Sequence, residues 1–425
     1  MTDRPAEPGE EAAGRRSLSS RLRGRSRLEL GLSAAFVAAV VLGLAGWFAG
    51  GSGHAAHSGP KADPSFTFPA AGDTATPSPT STRHKRKGSG SSTGAAIPDY
   101  TPGAAQPAVV AAATLPGVTS ANPAVTCPAA TVSVSNAGQL TAALAAAGPG
   151  TVIDLADGTY SGNFTGTAVG TAAQPVFLCG GPNAVLDAGS RTTGGGYVLH
   201  LQNAAYWRLI GFTVQDGAKG VVLDHTDYSV IQGLTVQHLG DEGIHLREFS
   251  DDDLVLNNTV RDTGSLNPKY GEGVYIGTAQ SNWCTYTDCQ QDHSDNDVVR
   301  GNTISQTTAE NVDIKEGTTG GALIDNSFDG SSFSPKGASA WVNAKGNSYL
   351  IKGNTGRDSY QDGFQTHQIL AGWGQGNVFE GNTAIVNGTG YGFHFTPVNG
   401  NVWTCDNKVQ GAAAGNGNTA CSNTP

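Results

Sequence analysis

The chain has little charge and few aromatic residues for its length. Of its 425 residues only 14% are charged and 7% are aromatic, and the formal net charge is −10. Leucine is sparse, whereas glycine (60 residues), threonine and asparagine are abundant, a composition that disfavours long helices and favours turns and short strands. The second half carries no sustained basic stripe, and this absence, together with the negative charge, argues against a nucleic-acid partner.

The first fifty residues predict a membrane segment. Arginines between Arg15 and Arg27 precede an apolar run from Leu30 to Gly50, LGLSAAFVAAVVLGLAGWFAG. A run of about 20 apolar residues can cross a bilayer, and the arginines would hold the N-terminus in the cytoplasm. We therefore expect a cytoplasmic basic arm at 1–29, a transmembrane signal-anchor at 30–50, and a cell-membrane protein with an extracellular C-terminal domain. A cleaved signal peptide is the alternative, and the protein would then be secreted.

Residues 51–122 are rich in Pro, Ser, Thr, Gly and Ala. Such a segment buries too little apolar surface to offset the entropy of ordering, so we predict a disordered linker. Its basic patch, Arg83–Lys87, is expected to be solvated; contact with an anionic cell-wall polymer or with lipid headgroups is the alternative.

The cysteines fit an exported domain. Six cysteines allow 15 pairings, and sequence alone does not choose among them. Because local pairing would close short loops in an oxidising compartment, we predict three sequential disulfides: Cys127–Cys179, Cys284–Cys289 and Cys405–Cys421. A zinc site is disfavoured because Cys284 and Cys289 have no CxxC partner motif nearby.

A short phrase recurs through the second half of the chain. Each copy holds a turn with Gly or Asn, a Thr or apolar residue, a spacer, and a strand-like segment that begins near another Gly. The copies start at Gly211, Gly233, Asn257, Gly301, Asp325, Gly353 and Gly381. A repeat of roughly 22 to 28 residues is typical of a solenoid. We therefore predict an all-β fold, a right-handed parallel β-helix over 127–425. A short helix capped at Ser135-Asn136 and ending by Ala147 would cover its first coil, and the segment after Phe395 would cover the other end.

Alternate residues of the long strand in each coil are apolar, as expected for a strand with one buried face. The predicted inward pairs are Val221/Leu223, Ile244/Leu246, Val274/Ile276, Val312/Ile314, Ala340/Val342, Phe364/Thr366 and Phe393/Phe395. The asparagines of the turns should stack as an internal amide ladder: Asn258, Asn302, Asn326, Asn354 and Asn382.

The intervening residues of these strands should face solvent and form one patch, because neighbouring coils lie about 4.8 Å apart. One predicted column is Val222, His245, Tyr275, Asp313, Trp341, Gln365 and His394. The next is Asp224, Arg247, Gly277, Lys315, Asn343, His367 and Thr396. His245, Tyr275, Asp313, Trp341, Asn343, Gln365 and His394 are the predicted substrate-binding residues. Tyr275 and Trp341 would offer flat surfaces to sugar rings. A merely decorative face is the alternative.

A further column lies at the turn before each strand and reads Lys219, Glu242, Glu272, Glu310, Ala338 and Asp362. Like charges on neighbouring strands repel, and a hard cation with oxygen ligands would remove that cost. We therefore predict a Ca²⁺ site at these glutamates, with screening by Arg247, Lys315 or water as the alternative.

These residues suit β-elimination of an acidic polysaccharide. The enzyme must neutralise a uronate carboxylate, remove the proton α to it, and expel the 4-linked sugar. Lys315 is the predicted base, provided that neighbouring positive charge depresses its pKa.

Around Lys315 the sequence resembles polysaccharide lyase family 6, the parallel β-helix alginate lyases and chondroitinase B. Glu310-Asn311-Val312-Asp313-Ile314-Lys315 keeps that family's Glu-to-Lys spacing, with Asp313 in place of a Ser. AGPGTVIDLADGTYSG and GTAAQPVFLCG resemble its opening coil. The resemblance, which covers roughly 131–395, implies Lys315 as the base and acidic residues nearby as Ca²⁺ ligands.

The family has an Arg near the leaving group on the coil after the Lys, but Trp341–Gly346 contains none. Lys345, His367 and Arg247 are the candidates to replace it, and Lys345 or His367 would then act as the acid. A uronan epimerase, a non-catalytic glycan-binding or structural β-helix, and a glycoside hydrolase remain alternatives, although no paired-Asp phrase of the hydrolase type is present. The expected partners are an acidic polysaccharide and, through the N-terminal helix, a membrane; we expect a monomer.

Overall fold

A computed structural model describes residues 124–425. The predicted basic arm, membrane segment and linker (1–29, 30–50 and 51–122) lie outside the described residues. Within 124–425, no helix is long and apolar enough to span a bilayer.

The described chain forms a parallel β-helix of three sheets, and successive coils add strands to each sheet in turn. Sheet A has 11 strands: β1 (Val132–Val134), β2 (Val152–Leu155), β5 (Val176–Gly180), β8 (Trp207–Ile210), β11 (Val230–Gln232), β14 (Leu254–Leu256), β17 (Val298–Arg300), β20 (Ala322–Ile324), β23 (Leu350–Lys352), β26 (Val378–Glu380) and β29 (Val402–Trp403).

The other two sheets have 10 strands each. Sheet B contains β3 (Gly158–Ser161), β6 (Ala184–Asp187), β9 (Thr213–Gln215), β12 (Thr235–Gln237), β15 (Thr259–Arg261), β18 (Thr303–Ser305), β21 (Ser327–Asp329), β24 (Thr355–Arg357), β27 (Thr383–Gly388) and β30 (Lys408–Ala412). Sheet C contains β4 (Phe164–Gly166), β7 (Tyr197–Ala205), β10 (Lys219–Asp227), β13 (Ile244–Arg247), β16 (Val274–Ile276), β19 (Val312–Ile314), β22 (Val342–Ala344), β25 (Phe364–His367), β28 (Tyr391–Thr396) and β31 (Gly415–Gly417).

Helices are short. Helix α1 (Ala137–Ala146) begins after Asn136, whose Oδ1 accepts a hydrogen bond from the Gln139 amide at 3.0 Å. Its buried Leu140 and Leu144 belong to the main core and cover the first coil. Helix α2 (Trp283–Tyr286) follows a 3₁₀ turn at Gln280–Asn282, and a second 3₁₀ turn lies at Thr193–Gly195.

The core follows the period-two alternation of sheet C. Val221 pairs with Ile244, Ile244 with Val274, and Val274 with Val312. All of the predicted inward side chains are buried, and the apolar ones apart from Ala340 belong to the main core, which confirms the inward face of these strands outside that coil. The prediction that the intervening side chains face solvent is wrong for most of them, since residues such as Asp313 and His245 are also buried.

The register of one coil differs from the prediction. Val312 pairs with Val342 and Ile314 with Ala344, so the inward pair on β22 is Val342/Ala344 and not Ala340/Val342. The slip is two residues, which keeps the side chains of β22 on their expected faces but moves Asn343 beside Asp313 and Lys345 beside Lys315. Trp341 lies before the strand and is fully buried.

The asparagine ladder is confirmed and is longer than predicted. Nδ2 of Asn302 donates to Oδ1 of Asn326 at 3.0 Å, and the same bond recurs from Asn258 to Asn302 and onward to Asn407. Each amide also donates to a carbonyl of a preceding coil, as Asn326 does to Val299 at 2.9 Å. The ladder therefore satisfies buried backbone groups at a turn that a β-helix must repeat.

The three predicted disulfides are all present: Cys127–Cys179, Cys284–Cys289 and Cys405–Cys421. The C-terminal segment does more than cover the end, because β29, β30 and β31 continue all three sheets past Phe395.

Candidate active site on the outer face of sheet C

The outer face of sheet C carries two polar columns that are set by the pleat. The first aligns His245, Tyr275, Asp313, Asn343 and Gln365 on successive strands. The second follows two residues later and contains Arg247, Gly277, Lys315, Lys345 and His367. Residues that are far apart in sequence are thereby brought onto neighbouring coils.

Asp313 is the centre of this face. Its Oδ2 lies 2.6 Å from Nζ of Lys315 and its Oδ1 lies 2.5 Å from Nζ of Lys345. Although burial opposes charge, the two ammonium groups hold the pKa of Asp313 below its usual value. Burial lowers the pKa of Lys315, but Asp313 together with Tyr275, Glu316 and Glu272 outweighs burial and raises it well above the ordinary value. The residues of the chain alone therefore keep Lys315 protonated, which is the opposite of what a base requires.

Three carboxylates could share a cation here. Oxygen atoms of Glu272, Glu310 and Asp313 lie within 4.8 Å of one another. Oε2 of Glu272 is buried without a hydrogen-bond partner in the described structure, and burial followed by the charges of Glu242 and Glu310 raises the pKa of Glu272 well above its usual value. An all-oxygen, anion-rich set of this kind suits a hard cation such as Ca²⁺.

The observed carboxylate group differs from the predicted metal set in one member. Glu242 points to Lys219, with Oε1 at 2.8 Å from Nζ, and it is not part of the three-carboxylate group. Asp313, which was predicted to bind substrate, takes its place.

Tyr275 lies beside Lys315 and not on an open surface. Only 9% of Tyr275 is exposed, and Nζ of Lys315 lies 4.7 Å from the centre of its ring. The ring packs edge-on against His245, with centroids 4.1 Å apart. Burial raises the pKa of Tyr275 well above its usual value, so the phenol keeps its proton.

His245, on the coil before Tyr275, packs against the Tyr275 ring. It is buried, its Nε2 donates to the carbonyl of Gly277 at 3.0 Å, and burial followed by Arg247 holds its pKa well below the ordinary value. A neutral, buried imidazole in this place is suited to packing and not to contact with substrate.

His367, Asn343 and Glu310 form a chain of hydrogen bonds across three coils. Nδ1 of His367 donates to Oδ1 of Asn343 at 2.8 Å, and Nδ2 of Asn343 donates to Oε1 of Glu310 at 3.1 Å. Burial, followed by the charge of Lys345, lowers the pKa of His367 to about 4.

The guanidinium of Arg247 contacts other side chains of the protein. Its Nε donates to Oδ1 of Asp224 at 2.6 Å, its Nη2 donates to the Tyr197 hydroxyl at 2.9 Å, and its guanidinium lies 4.2 Å from the ring centre of Tyr286. The side chain is almost fully buried. Arg247 therefore does not replace the arginine that the family places near the leaving group.

The C-terminal end of the face holds a second acidic centre. Oδ2 of the buried Asp362 accepts from Nδ1 of His394 at 2.9 Å and from Nε2 of Gln365 at 2.5 Å. The side chain of His394 is 29% exposed. Gln365 is buried and holds the centre together.

The prediction that Trp341 stacks on a sugar is wrong. Its indole lies in the core, and Nε1 donates to the carbonyl of Arg357 at 2.9 Å. A Cβ at Gly356 would lie 2.4 Å from this ring and one at Gly363 would lie 2.8 Å from it. The absence of side chains at these two glycines on the next coil leaves room for the indole in the core.

Sequence reasoning missed the supporting roles of Asp224, Lys219, Tyr286 and Asp362. Asp224, Lys219 and Asp362 lie in the repeat columns and could have been found by pairing opposite charges on adjacent coils. Tyr286 lies in the long loop between β16 and β17, within the segment closed by the Cys284–Cys289 disulfide. This loop is not part of the repeat, so the repeat pattern could not predict the position of Tyr286.

No protein-family model matches the chain. No curated protein matches it either. Among solved structures it is similar to an alginate lyase from Paenibacillus sp. strain FPU-7, with 32% identity over 68% of this chain and 100% of that chain and a TM-score of 0.60. Weaker similarities include the pectate lyase Pel9A (15% identity, 66% of this chain, 72% of that chain, TM-score 0.44). A mannuronic-acid-specific family 6 lyase from human gut microbiota has 12% identity (65% of this chain, 82% of that chain, TM-score 0.33).

The similarity to the alginate lyase covers the whole length of that enzyme, and a sequence identity of 32% over this length indicates common descent. The structure supplies the parallel β-helix on which the similarity rests. The chain therefore belongs to the same family of β-helix polysaccharide lyases as this alginate lyase.

Proposed function

We propose that the protein is an extracellular lyase that cleaves a uronic-acid-containing polysaccharide by β-elimination on the outer face of sheet C. The observation that carries the proposal is the pairing of Lys315 and Lys345 on the one carboxylate of Asp313, beside a protonated Tyr275. Since a relative is an alginate lyase, alginate is the first polymer to test.

Elimination needs positive charge where the uronate carboxylate binds, because negative charge accumulates there as the α proton leaves. Lys315 and Lys345 are the cations that pair with Asp313 on the outer face of sheet C. Glu272 and Glu310 lie beside Asp313, so a cation held by the three carboxylates would be needed to give this cluster the excess positive charge that a uronate carboxylate balances.

Lys315 is the proposed base. Its outward direction is fixed because Val312 and Ile314, on the same strand, are buried. Asp313 is the main obstacle, since it stabilises the ammonium form. Anything that weakens the hold of Asp313 on Lys315 would lower the Lys315 pKa and free a lone pair for the α proton.

Glu272, Glu310 and Asp313 are the residues that would hold Ca²⁺. When bound there, the ion would supply positive charge that competes with Lys315 for Asp313 and disfavours a second cation nearby. This is the physical link between the predicted metal and the predicted base.

Tyr275 is the proposed acid that protonates the leaving sugar oxygen. It keeps its proton because burial raises its pKa, and it lies directly beside Lys315. Lys345 is the alternative donor, and its pairing with Asp313 holds it within the same cluster.

The test is turnover of uronic-acid polymers by the purified chain, followed by the ultraviolet absorbance of unsaturated ends, with and without chelator. Unsaturated ends indicate a lyase. New reducing ends without that absorbance indicate a hydrolase, changed uronate stereochemistry without chain shortening indicates an epimerase, and retention of polymer without product indicates a binding protein.

Lys315→Ala and Lys315→Arg separate the two roles that Lys315 could play. Arginine keeps the positive charge but does not deprotonate, so both variants should lose turnover by about 10²–10⁴-fold if Lys315 is the base. In either variant the Asp313 carboxylate still pairs with Lys345, so we expect both variants to fold. Lys352→Ala on sheet A, whose side chain is 49% exposed, is the matched control and should be fully active. Turnover that survives in Lys315→Arg would move the base elsewhere and leave Lys315 as a cation.

We also propose that residues 30–50 tether the enzyme to the cell surface. The apolar run and the arginines before it support this proposal. Recovery of the intact chain from the membrane fraction would agree with an anchor, and release of a shortened chain into the medium would show cleavage.

A further inference from the structure

His367 lies at the end of β25, on the coil that follows Lys345. Its Nδ1 faces Oδ1 of Asn343, and the Asn343 amide faces Glu310 on the other side. Nδ2 of Asn343 donates to Oε1 of Glu310 at 3.1 Å, so Oδ1 is the Asn343 atom that faces His367. Because that amide oxygen also only accepts, the proton on His367 is fixed at Nδ1.

The imidazole is neutral at ordinary pH. Burial and Lys345 lower its pKa to about 4, and the other charged groups that act on it, His394, Asp313 and Asp362, do not reverse that direction. Within residues 124–425, Nε2 of His367 has no hydrogen-bond partner. The ring therefore carries its proton on Nδ1 and a lone pair on Nε2, and this tautomer does not suit the role of acid that the sequence left open for His367.

We propose that His367 is a specificity-determining residue that accepts a hydrogen bond from a free sugar hydroxyl beside Lys345, with Asn343 as the residue that holds it in the accepting tautomer. The inference deepens the proposed function and rests on it. The ligand class is a uronate polymer whose hydroxyl groups are unesterified in this subsite.

The selectivity follows from what an ester does at this position. An acetylated oxygen has no proton to donate, so binding would leave the Nε2 lone pair desolvated and unpaired. Sites built to pair a substrate hydroxyl reject analogues that lack it, because the site's own polar group then has no partner. His367 should therefore make the enzyme discriminate against esterified polymer.

The test compares one uronate polymer before and after chemical acetylation, with wild type, His367→Gln and His367→Phe. Glutamine keeps a terminal acceptor, whereas phenylalanine keeps the flat ring without one. Wild type should prefer the unesterified polymer by about tenfold or more in kcat/KM, as expected for one buried acceptor left unpaired. His367→Phe should abolish the preference, mainly through a KM for unesterified polymer raised about tenfold, and His367→Gln should retain part of it.

Two further measurements make the outcome decisive. Long-range ¹H–¹⁵N NMR should show a neutral imidazole protonated at Nδ1 from about pH 5 upward, and Asn343→Ala should release that tautomer preference. His238→Phe, at an exposed turn beside Asp262, is the control and should leave the preference unchanged.

The failures are distinguishable. An active enzyme whose preference survives His367→Phe, or whose His367 is protonated at Nε2, overturns the role of His367 alone. A loss in kcat with unchanged KM would also overturn it, because that pattern marks a group acting in the chemistry. A wild-type protein that is inactive on every uronate polymer overturns the proposed function and the subsite with it.

Discussion

Asp297→Asn is expected to stabilise the protein. Asp297 belongs to a column at the turn that precedes each strand of sheet A, together with Asp253 on the coil before it and Asn377 and Asn401 further on. In the asparagine coils both side-chain atoms are paired: the Asn377 amide donates to Gly346 at 3.1 Å and to Asn401 at 3.0 Å. In the aspartate coils Oδ1 accepts a backbone N–H, as Asp297 does from Asp253 at 2.9 Å, but Oδ2 is buried without a partner in the described structure.

The size of the effect follows from that orphan oxygen. Leaving a buried polar atom unpaired costs about 1–3 kcal/mol, and asparagine would replace it with a donor that the column already uses elsewhere. Burial, followed by the charge of Asp253, raises the pKa of Asp297 well above its usual value. A raised folded-state pKa means that the folded protein binds the proton more tightly than the unfolded chain. Stability is therefore lost as pH rises above about 4, the unfolded value for aspartate. The gain from asparagine should be larger at pH 7 than at pH 4.

Calorimetric scans at one fixed rate would measure this effect. For a domain of this size, a gain of 1–3 kcal/mol corresponds to a rise in Tm of roughly 2–6 °C at pH 7. Asp325→Asn is the matched control, because Asp325 is largely exposed and its left-handed backbone also suits asparagine. A lower Tm for Asp297→Asn at pH 7, or a gain that is no larger at pH 7 than at pH 4, would show that the Asp297 carboxylate has a partner that stabilises its charge.

Two other predictions concern the metal and the ladder. Calcium should raise the Tm of wild type by an amount that corresponds to about 2.7 kcal/mol at a hundredfold excess over Kd, and Glu272→Gln should remove this response. Glu242→Gln should leave the response in place, since Glu242 pairs with Lys219; equal loss in both variants would contradict the three-carboxylate site. Asn326→Ala should destabilise the fold by roughly 2–4 kcal/mol in denaturant titrations, because Asn302 and Val299 lose buried partners, and a change below 1 kcal/mol would contradict the ladder's structural role.

The sequence predicted those features that repeat. Period-two alternation placed the inward side chains of sheet C, and the recurring asparagines placed the amide ladder, because each depends on a pattern that every coil obeys. The disulfides were predicted from export and local pairing. The columns that bring Lys315 near Asp313 also follow from strand geometry.

The sequence could not fix the register after the long turn between β21 and β22. A slip of two residues keeps the side chains of the strand itself on the same faces, so the alternating hydrophobic pattern of β22 is satisfied by either alignment. The size of the Trp341 side chain selects the register, because its ring fits in the space that Gly356 and Gly363 leave on the next coil. Lys345 lies beside Lys315 only in the observed register. The sequence alone did not give this register, so it could not predict that both lysines pair with Asp313.

The charges on sheet C differ in kind from those that hold the fold together. The internal ladder uses neutral amides, which satisfy buried backbone at little electrostatic cost. The outer face instead buries Oε2 of Glu272 without a hydrogen-bond partner among the described residues, while two lysines share Asp313. Buried ion pairs contribute little to stability compared with apolar residues of similar size, and an unbalanced cluster is worse. Strongly shifted pKa values from burial and charge are typical of functional sites, so the imbalance at Lys315 favours a role in chemistry that a purely structural β-helix would not require.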